Sequence, residues 1–274
     1  MSFTFSKERP LVLVGAGKMG GAMLAGWIAS GVEPQSVLVI DPNPSDELLA
    51  LSKTRGVAHA PTLPDGLVAG VLLLALKPQV MAAALPAFAA GVAPDTLVIS
   101  VAAGTPVATF EAAFGDVPVV RVMPNTPSQV GRGMSVGFAN ARTDAAQRET
   151  VDALMAAIGA TAWVEREEDI NAVTAVSGSG PAYVFHLVEA MAEAGRKAGL
   201  DAELAMKLAR QTVCGAGELL YQSDLPAEQL RRNVTSPNGT TAAALEVLMA
   251  DDGIQPVMDK AVAAAKRRSE ELAG

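Results

Sequence analysis

Two stretches of this chain carry residue types and spacings that could do chemistry on a small ligand. In the first, Gly15-Ala16-Gly17-Lys18-Met19-Gly20 follows the apolar run Leu11-Val12-Leu13-Val14 and precedes Met23, Leu24, Trp27 and Ile28 at helical spacing. Strand, glycine turn and helix in that order suit a bound pyrophosphate. The first glycine makes the turn, the second admits backbone close to the diphosphate, and the third lets the helix pack on its strand. The helix start supplies N–H donors and the positive end of the dipole. A second short strand over 37–40 ends at Asp41, about 20 residues beyond the last glycine, where a carboxylate can accept from a ribose diol and repel a 2′-phosphate. That reading leans toward NADH. Asp41-Pro42-Asn43 is also an ordinary turn former, and both readings stand.

The other stretch is Ser177-Gly178-Ser179-Gly180-Pro181, which sets three helix opponents into an otherwise helix-compatible run over 170–200. Val184, Leu187, Val188 and Met191 then recur at helical spacing, Gly199 stops the helix, and Asp201 is placed to cap the next. Further on, Val234-Thr235-Ser236-Pro237-Asn238-Gly239-Thr240-Thr241 is a hydroxyl-rich turn feeding a helix over 242–249. Hydroxyls and free N–H groups there form a cradle for a small carboxylate. A plain N-cap by Thr240 or Thr241 is the alternative.

The elements between must position these groups. The apolar run 68–76 reads as a strand buried on both faces and ends in Lys77-Pro78. Strand 97–101 ends in Ala102-Ala103-Gly104, and strand 117–123 in Pro124-Asn125-Thr126-Pro127. Ligands gather at the carboxyl ends of parallel strands, so one shared ligand is expected at all three. A strand over 134–139, a helix over 143–158 and a strand over 160–164 complete an α/β domain. Its boundary falls in Glu165-Arg166-Glu167-Glu168-Asp169, giving domains 1–166 and 167–274. The second is helical throughout. Its helix over 202–222 is apolar around more than one stripe, which predicts burial on several sides, part of it by its own domain and the rest by a partner subunit.

A hydrophobic fraction of 50% over 274 residues supplies a sizeable core and excludes a disordered chain. Acidic residues outnumber basic ones by 29 to 21, and no basic run is interleaved with aromatics, so neither nucleic acid nor an anionic membrane is an expected partner. The single cysteine, Cys214, has no internal disulfide partner and is expected as a small buried hydrophobe, in keeping with a reducing, cytoplasmic setting. No basic segment with an apolar run opens the chain, so no signal peptide is expected. The uncharged stretch between Lys77 and Asp95 contains Pro78, Pro86 and Pro94 and falls short of the roughly 20 residues a membrane helix needs. His59 and His186 lie far apart and no cluster has metal-ligand spacing, so no metal is expected.

Read in order, GAGKMGGAML, LALKPQ, SVAAG, VRVMPNTP, AVTAVSGSGPAY and NVTSPNGTT resemble the sequence blocks of the pyrroline-5-carboxylate reductase family, from Leu11 to about Met249. The resemblance implies an α/β N-terminal Rossmann-type dinucleotide-binding domain followed by an all-α C-terminal dimerisation domain. It implies reduction of 1-pyrroline-5-carboxylate to L-proline with NADPH or NADH, the last step of proline biosynthesis, in a homodimer that can associate further. By position, it implies that Gly15, Ala16, Gly17, Lys18, Met19 and Gly20 hold the pyrophosphate and that Leu76, Lys77 and Ala103 line the nicotinamide side. Asn233 would approach the cofactor from the helical domain. Glu167, Ser177, Gly178, Ser179, Gly180, Pro181, Ser236, Gly239, Thr240 and Thr241 would surround the substrate, with the Thr241 hydroxyl donating to it. Two departures matter: Asn238 stands where the family commonly has glycine, and residues 41–43 vary, so a preference for NADPH is not carried over.

Two rival readings remain at this level. A β-hydroxyacid dehydrogenase needs a lysine base early in the interdomain helix, whereas Lys197 lies about four turns beyond the break. A regulator that senses dinucleotide without turning it over leaves 177–181 and 236–241 with no role.

Overall fold

The computed structural model describes residues 5–273. Residues 1–4, at the start of the polar leader, and residue 274, the last of the expected second domain, lie outside them. The chain forms two compact units: one of the described residues up to Gly178 together with those from Ala265 onward, the other of Ser179–Ala264. The expected boundary after residue 166 therefore lies inside the first unit. The residues just beyond it are anchored there, since Ile170 and Ala175 are fully buried and Asn171 Oδ1 accepts from Ser269 Oγ at 2.8 Å.

The first unit is built on β1 (Leu11–Val14), α1 (Lys18–Ala29), β2 (Val37–Ile40), α2 (Asp46–Arg55), β3 (Ala58–Ala60), β4 (Val71–Leu74) and α3 (Pro78–Ala84). It continues with β5 (Leu97–Ser100), α4 (Val107–Phe114), β6 (Val119–Met123), β7 (Gly133–Ala139), α5 (Ala145–Ala156), β8 (Gly159–Trp163) and α6 (Asp169–Val173). The strands make one sheet in the order β3-β2-β1-β4-β5-β6-β7-β8, parallel throughout except between β6 and β7. Alternate residues of the central strands feed two cores: Leu11, Leu13, Leu73 and Ile99 on one face, Val12, Val14, Leu74 and Val98 on the other. This is why those strands read as unbroken apolar runs. The run 68–76 is strand only over Val71–Leu74, because the Ala69 N–H turns to Gly91 O and the Gly70 N–H to Pro10 O. Hydropathy marks such a run but not where its ladder stops.

The second unit contains α7 (Gly180–Lys197), α8 (Ala202–Gln222), α9 (Ala227–Asn233), α10 (Thr240–Leu248) and the first half of α11 (Ile254–Ala273). Helices α7 and α8 form a hairpin. Gly199, at φ 105°, turns the chain, and Asp201 caps α8 by accepting from Leu204 N–H at 2.9 Å. The hairpin closes through small residues, with Ala192, Ala205 and Ala209 buried. Much of the larger apolar material stays outside: Phe185 is 63% exposed, Leu219 63% and Tyr221 61%. Cys214 is likewise exposed and not buried as expected, because the packed face of α8 is its alanine face. Among the described residues no helix is long and apolar enough to cross a membrane.

Candidate active site

Strand β1 lies between β2 and β4, so the segment leaving its carboxyl end emerges where the strand order reverses. Gly15 N–H donates to Ile40 O at 2.9 Å and Ala75 N–H to Val14 O at 2.8 Å, fixing three strand ends around the turn. Gly15 has φ 87°, and a Cβ on it would stand 3.0 Å from the Ala75 carbonyl oxygen. On Gly20 a Cβ would meet the Gly15 carbonyl oxygen at 2.1 Å. Around Gly17, by contrast, the space is open. The protein itself demands the first and third glycines, while the second faces free volume of the kind a diphosphate would fill. No side chain caps α1, so its first N–H groups keep their donors.

A cavity of about 470 Å³ opens beside this turn. It is lined by Gly15, Gly17, Lys18 and Met19, by Leu76 and Lys77 after β4, and by Ala102 and Ala103 after β5. Leu76, Lys77 and Ala103 are thus brought to the glycine turn. Ala16 lines a second cavity of about 490 Å³, between α1 and α2, with Gly17, Lys18 and Ser45. Gly20 is buried beneath the turn. The third strand end, 124–127, does not line this cavity. Instead Asn125 is turned to the 174–178 segment, donating from Nδ2 to Ser177 O and Oγ, both at 3.2 Å.

Asp41 fulfils its turn-forming reading and adds a bond that spacing could not reveal. Its Oδ1 accepts from Asn43 N–H at 2.9 Å, and its Oδ2 accepts from Ala16 N–H at 2.8 Å. His59 Nε2 donates to the Asp41 carbonyl at 2.9 Å, which fixes the imidazole tautomer. Glu167 also has an engagement of its own. Its Oε1 accepts from Arg121 Nη1 at 3.0 Å and from Val107 N–H at 2.8 Å, tying the middle of β6 to the start of α4. The Arg121 side chain is only 4% exposed, so this carboxylate is its counter-charge in the core.

The 177–181 segment interrupts the α-helical run as expected, by way of a π turn and a bend. After α6 the backbone widens into a π-helical turn over Thr174–Gly178 and narrows again into α7. Such turns recur at functional sites. Ser177 and Gly178 belong to the π turn. Ser179 is the N-cap of α7 and Gly180 and Pro181 open it, with the proline in the first turn, where its missing N–H is tolerated. A Cβ on Gly178 would meet Met123 Cε at 2.6 Å, so the end of β6 packs against the turn at contact distance.

In the second unit Asn233 ends α9, exposed, with its Oδ1 accepting from Gln229 Nε2 at 2.8 Å. Ser236 O accepts from Gly239 N–H at 3.1 Å across a Pro-Asn turn. Asn238 takes φ 58°, the only left-handed non-glycine among the described residues, so asparagine fills the geometry that glycine commonly serves. Gly239 is the N-cap of α10 and no side chain caps it, so neither Thr240 nor Thr241 acts as a plain N-cap. They are the first two residues of the helix, and Thr241 is half-buried.

A parallel sheet with a glycine cradle at its switch point, in a chain whose remaining unit is helical, defines an NAD(P)-dependent oxidoreductase of Rossmann architecture. Residues 10–104 match a family model described as NADP oxidoreductase, coenzyme F420-dependent, and residues 167–272 match one described as pyrroline-5-carboxylate reductase dimerisation. The chain is 41% identical to pyrroline-5-carboxylate reductase of Pseudomonas aeruginosa over 96% of each, and 40% identical to that of Synechocystis sp. over 96% of this chain and 97% of that one. Among solved structures, a pyrroline-5-carboxylate reductase from Coxiella burnetii superposes with a TM-score of 0.89 at 34% identity, covering 97% of this chain and 99% of that one. One from Plasmodium falciparum with NADP bound gives 0.78 at 27%, covering 98% and 99%. The chain belongs to the pyrroline-5-carboxylate reductase family.

Proposed function

We propose that this protein reduces 1-pyrroline-5-carboxylate to L-proline with NADPH or NADH, in the cytoplasm. The observation that carries this reading is the 41% identity to a curated enzyme of that activity over 96% of both chains. When bound, the reduced nicotinamide supplies the hydride. The protein's own task is then mainly orientation, since an imine protonated on nitrogen already has an electrophilic carbon. The carbon gains the hydride, the C=N π pair becomes the nitrogen lone pair, and no further proton is required from a side chain.

The glycine turn fits a dinucleotide on its own geometry, with Gly15 and Gly20 forced by backbone contacts and Gly17 opening on free volume. Gly15, Ala16, Gly17, Lys18, Met19 and Gly20 hold the diphosphate in this reading. Leu76, Lys77 and Ala103 flank the nicotinamide, and Asp41 faces the adenosine ribose, where its charge disfavours a 2′-phosphate. Asn233 serves the cofactor. Ser177, Gly178, Ser179, Gly180, Pro181, Ser236, Gly239, Thr240 and Thr241 serve the substrate, and Thr241 donates its hydroxyl to the carboxylate, or to the ring nitrogen as its lone pair forms. We assign Glu167 to holding Arg121 and α4, in place of direct substrate contact, because its Oε1 is already shared between them. The apolar faces left open on α7 and α8 supply the homodimer interface.

Following the absorbance of reduced nicotinamide with pyrroline-5-carboxylate, in separate cuvettes with NADH and NADPH, tests the reading. Imine-dependent oxidation is expected. A dehydrogenase of hydroxy acids would turn over only its own substrates, and a dinucleotide sensor would bind cofactor without consuming it.

A further inference from the structure

The Pro124-Asn125-Thr126-Pro127 segment stands apart from the cavity its neighbours line, and its bonds point to a separate task. In a continuous α-helix the Ser177 carbonyl would accept from the N–H of residue 181. That residue is proline and has none. The next N–H along, Ala182, donates to Ser179 O at 3.0 Å. Asn125 Nδ2 reaches the Ser177 carbonyl at 3.2 Å and the Ser177 hydroxyl at the same distance. The amide cannot be the other way round, because its Oδ1 accepts from Met134 N–H at 2.9 Å and a backbone N–H only donates. Asn125 therefore spans β7 and the π turn, and Met123 packs against Gly178 one residue on.

We propose that Asn125 is a positioning residue for the reduction: its amide stands in for the donor that Pro181 lacks and fixes Ser177 in the turn that serves the imine. The inference rests on the functional reading above, and it predicts a distinct pattern of damage. Asn125→Asp keeps the acceptor for Met134 N–H but sets a carboxylate against the Ser177 carbonyl. A fall of about tenfold in kcat/KM for the imine is expected, one decade of transition-state stabilisation, while NADPH binding without imine stays within about twofold. Amide exchange should quicken over 174–178 and little elsewhere. The deficit relative to wild type should shrink as pH falls, since a protonated carboxyl regains a donor.

Wild-type turnover in the same assay tests the functional reading separately. An inactive wild type overturns that reading and this inference with it. An active wild type beside an Asn125→Asp variant with unchanged imine kinetics overturns this inference alone. So does a loss shared equally by NADPH binding, or a lower Tm with kinetics intact. Where Asn125→Asp fails to fold, the uncharged Asn125→Ala is expected to show the same split between imine kinetics and NADPH binding, and unchanged imine kinetics in that variant would equally overturn it.

Discussion

The carboxylate of Asp41 accepts the backbone N–H of Ala16 at 2.8 Å, so the acid at the end of β2 holds the glycine turn in place. Charge and anchoring can be separated by two substitutions. Asp41→Asn keeps an acceptor but removes the charge, and it should raise the kcat/KM ratio for NADPH over NADH without weakening both. Asp41→Ser shortens the side chain and loses the anchor as well. A lost hydrogen bond to a charged group is worth about 1.5–3 kcal/mol, so KM for both cofactors should rise about tenfold or more while the ratio still moves toward NADPH. Steady-state kinetics with each cofactor checks this. An unchanged ratio in both variants would remove Asp41 from the ribose site.

Glu167 offers a choice between two roles. As the counter-charge of Arg121, its replacement in Glu167→Gln leaves a guanidinium in the core beside a neutral amide. About 2 kcal/mol of stability should be lost, lowering Tm by about 5 °C, with the KM for imine little changed. Thermal melting beside imine kinetics decides it. A raised KM at constant Tm would restore Glu167 to the substrate.

For Thr241 the structure has already withdrawn the capping role, since Gly239 occupies the cap and no side chain bonds there. Thr241→Val keeps the shape and removes the donor. A fall of about tenfold to a hundredfold in kcat/KM for the imine is expected, from a bond worth about 1.5–3 kcal/mol, with Tm and cofactor KM barely moved. Unaltered imine kinetics would remove the hydroxyl from the site.

Assembly is the fourth expectation. Phe185, Leu219 and Tyr221 are each more than half exposed on α7 and α8, a surface suited to a large apolar interface. Light scattering should give a dimer or a multiple of it. A stable monomer near 28.0 kDa with activity intact would contradict the interface.

The glycine turn, the parallel strands and the helices of the second unit were legible because each rests on local rules: turn geometry, hydrophobic period and caps. Helix α8 ends where its pattern ends, at Gln222. The 177–181 segment was legible as an interruption of the helix but not as a π turn, because the glycines and proline oppose an α-helix without revealing which other geometry the backbone takes. The partners of Asp41, Asn125 and Glu167 were out of reach, since Ala16, Ser177 and Arg121 lie far off in sequence and only tertiary packing joins them. Arg121 did leave a trace, as a lone charge inside the strand Val119–Met123, which calls for a buried counter-charge. Cys214 was misjudged because helical pattern shows which residues are apolar, not whether another subunit or the same chain covers them.

The central claim is that hydride passes from the cofactor to the imine carbon of pyrroline-5-carboxylate. Reduced cofactor carrying deuterium on the transferred face of nicotinamide C4, incubated with protein and imine, tests it most directly. Mass spectrometry and proton NMR of the product should find L-proline with one deuterium at C5, on the former imine carbon, for each cofactor oxidised. Cofactor oxidation without labelled proline, or no oxidation at all, would contradict the account.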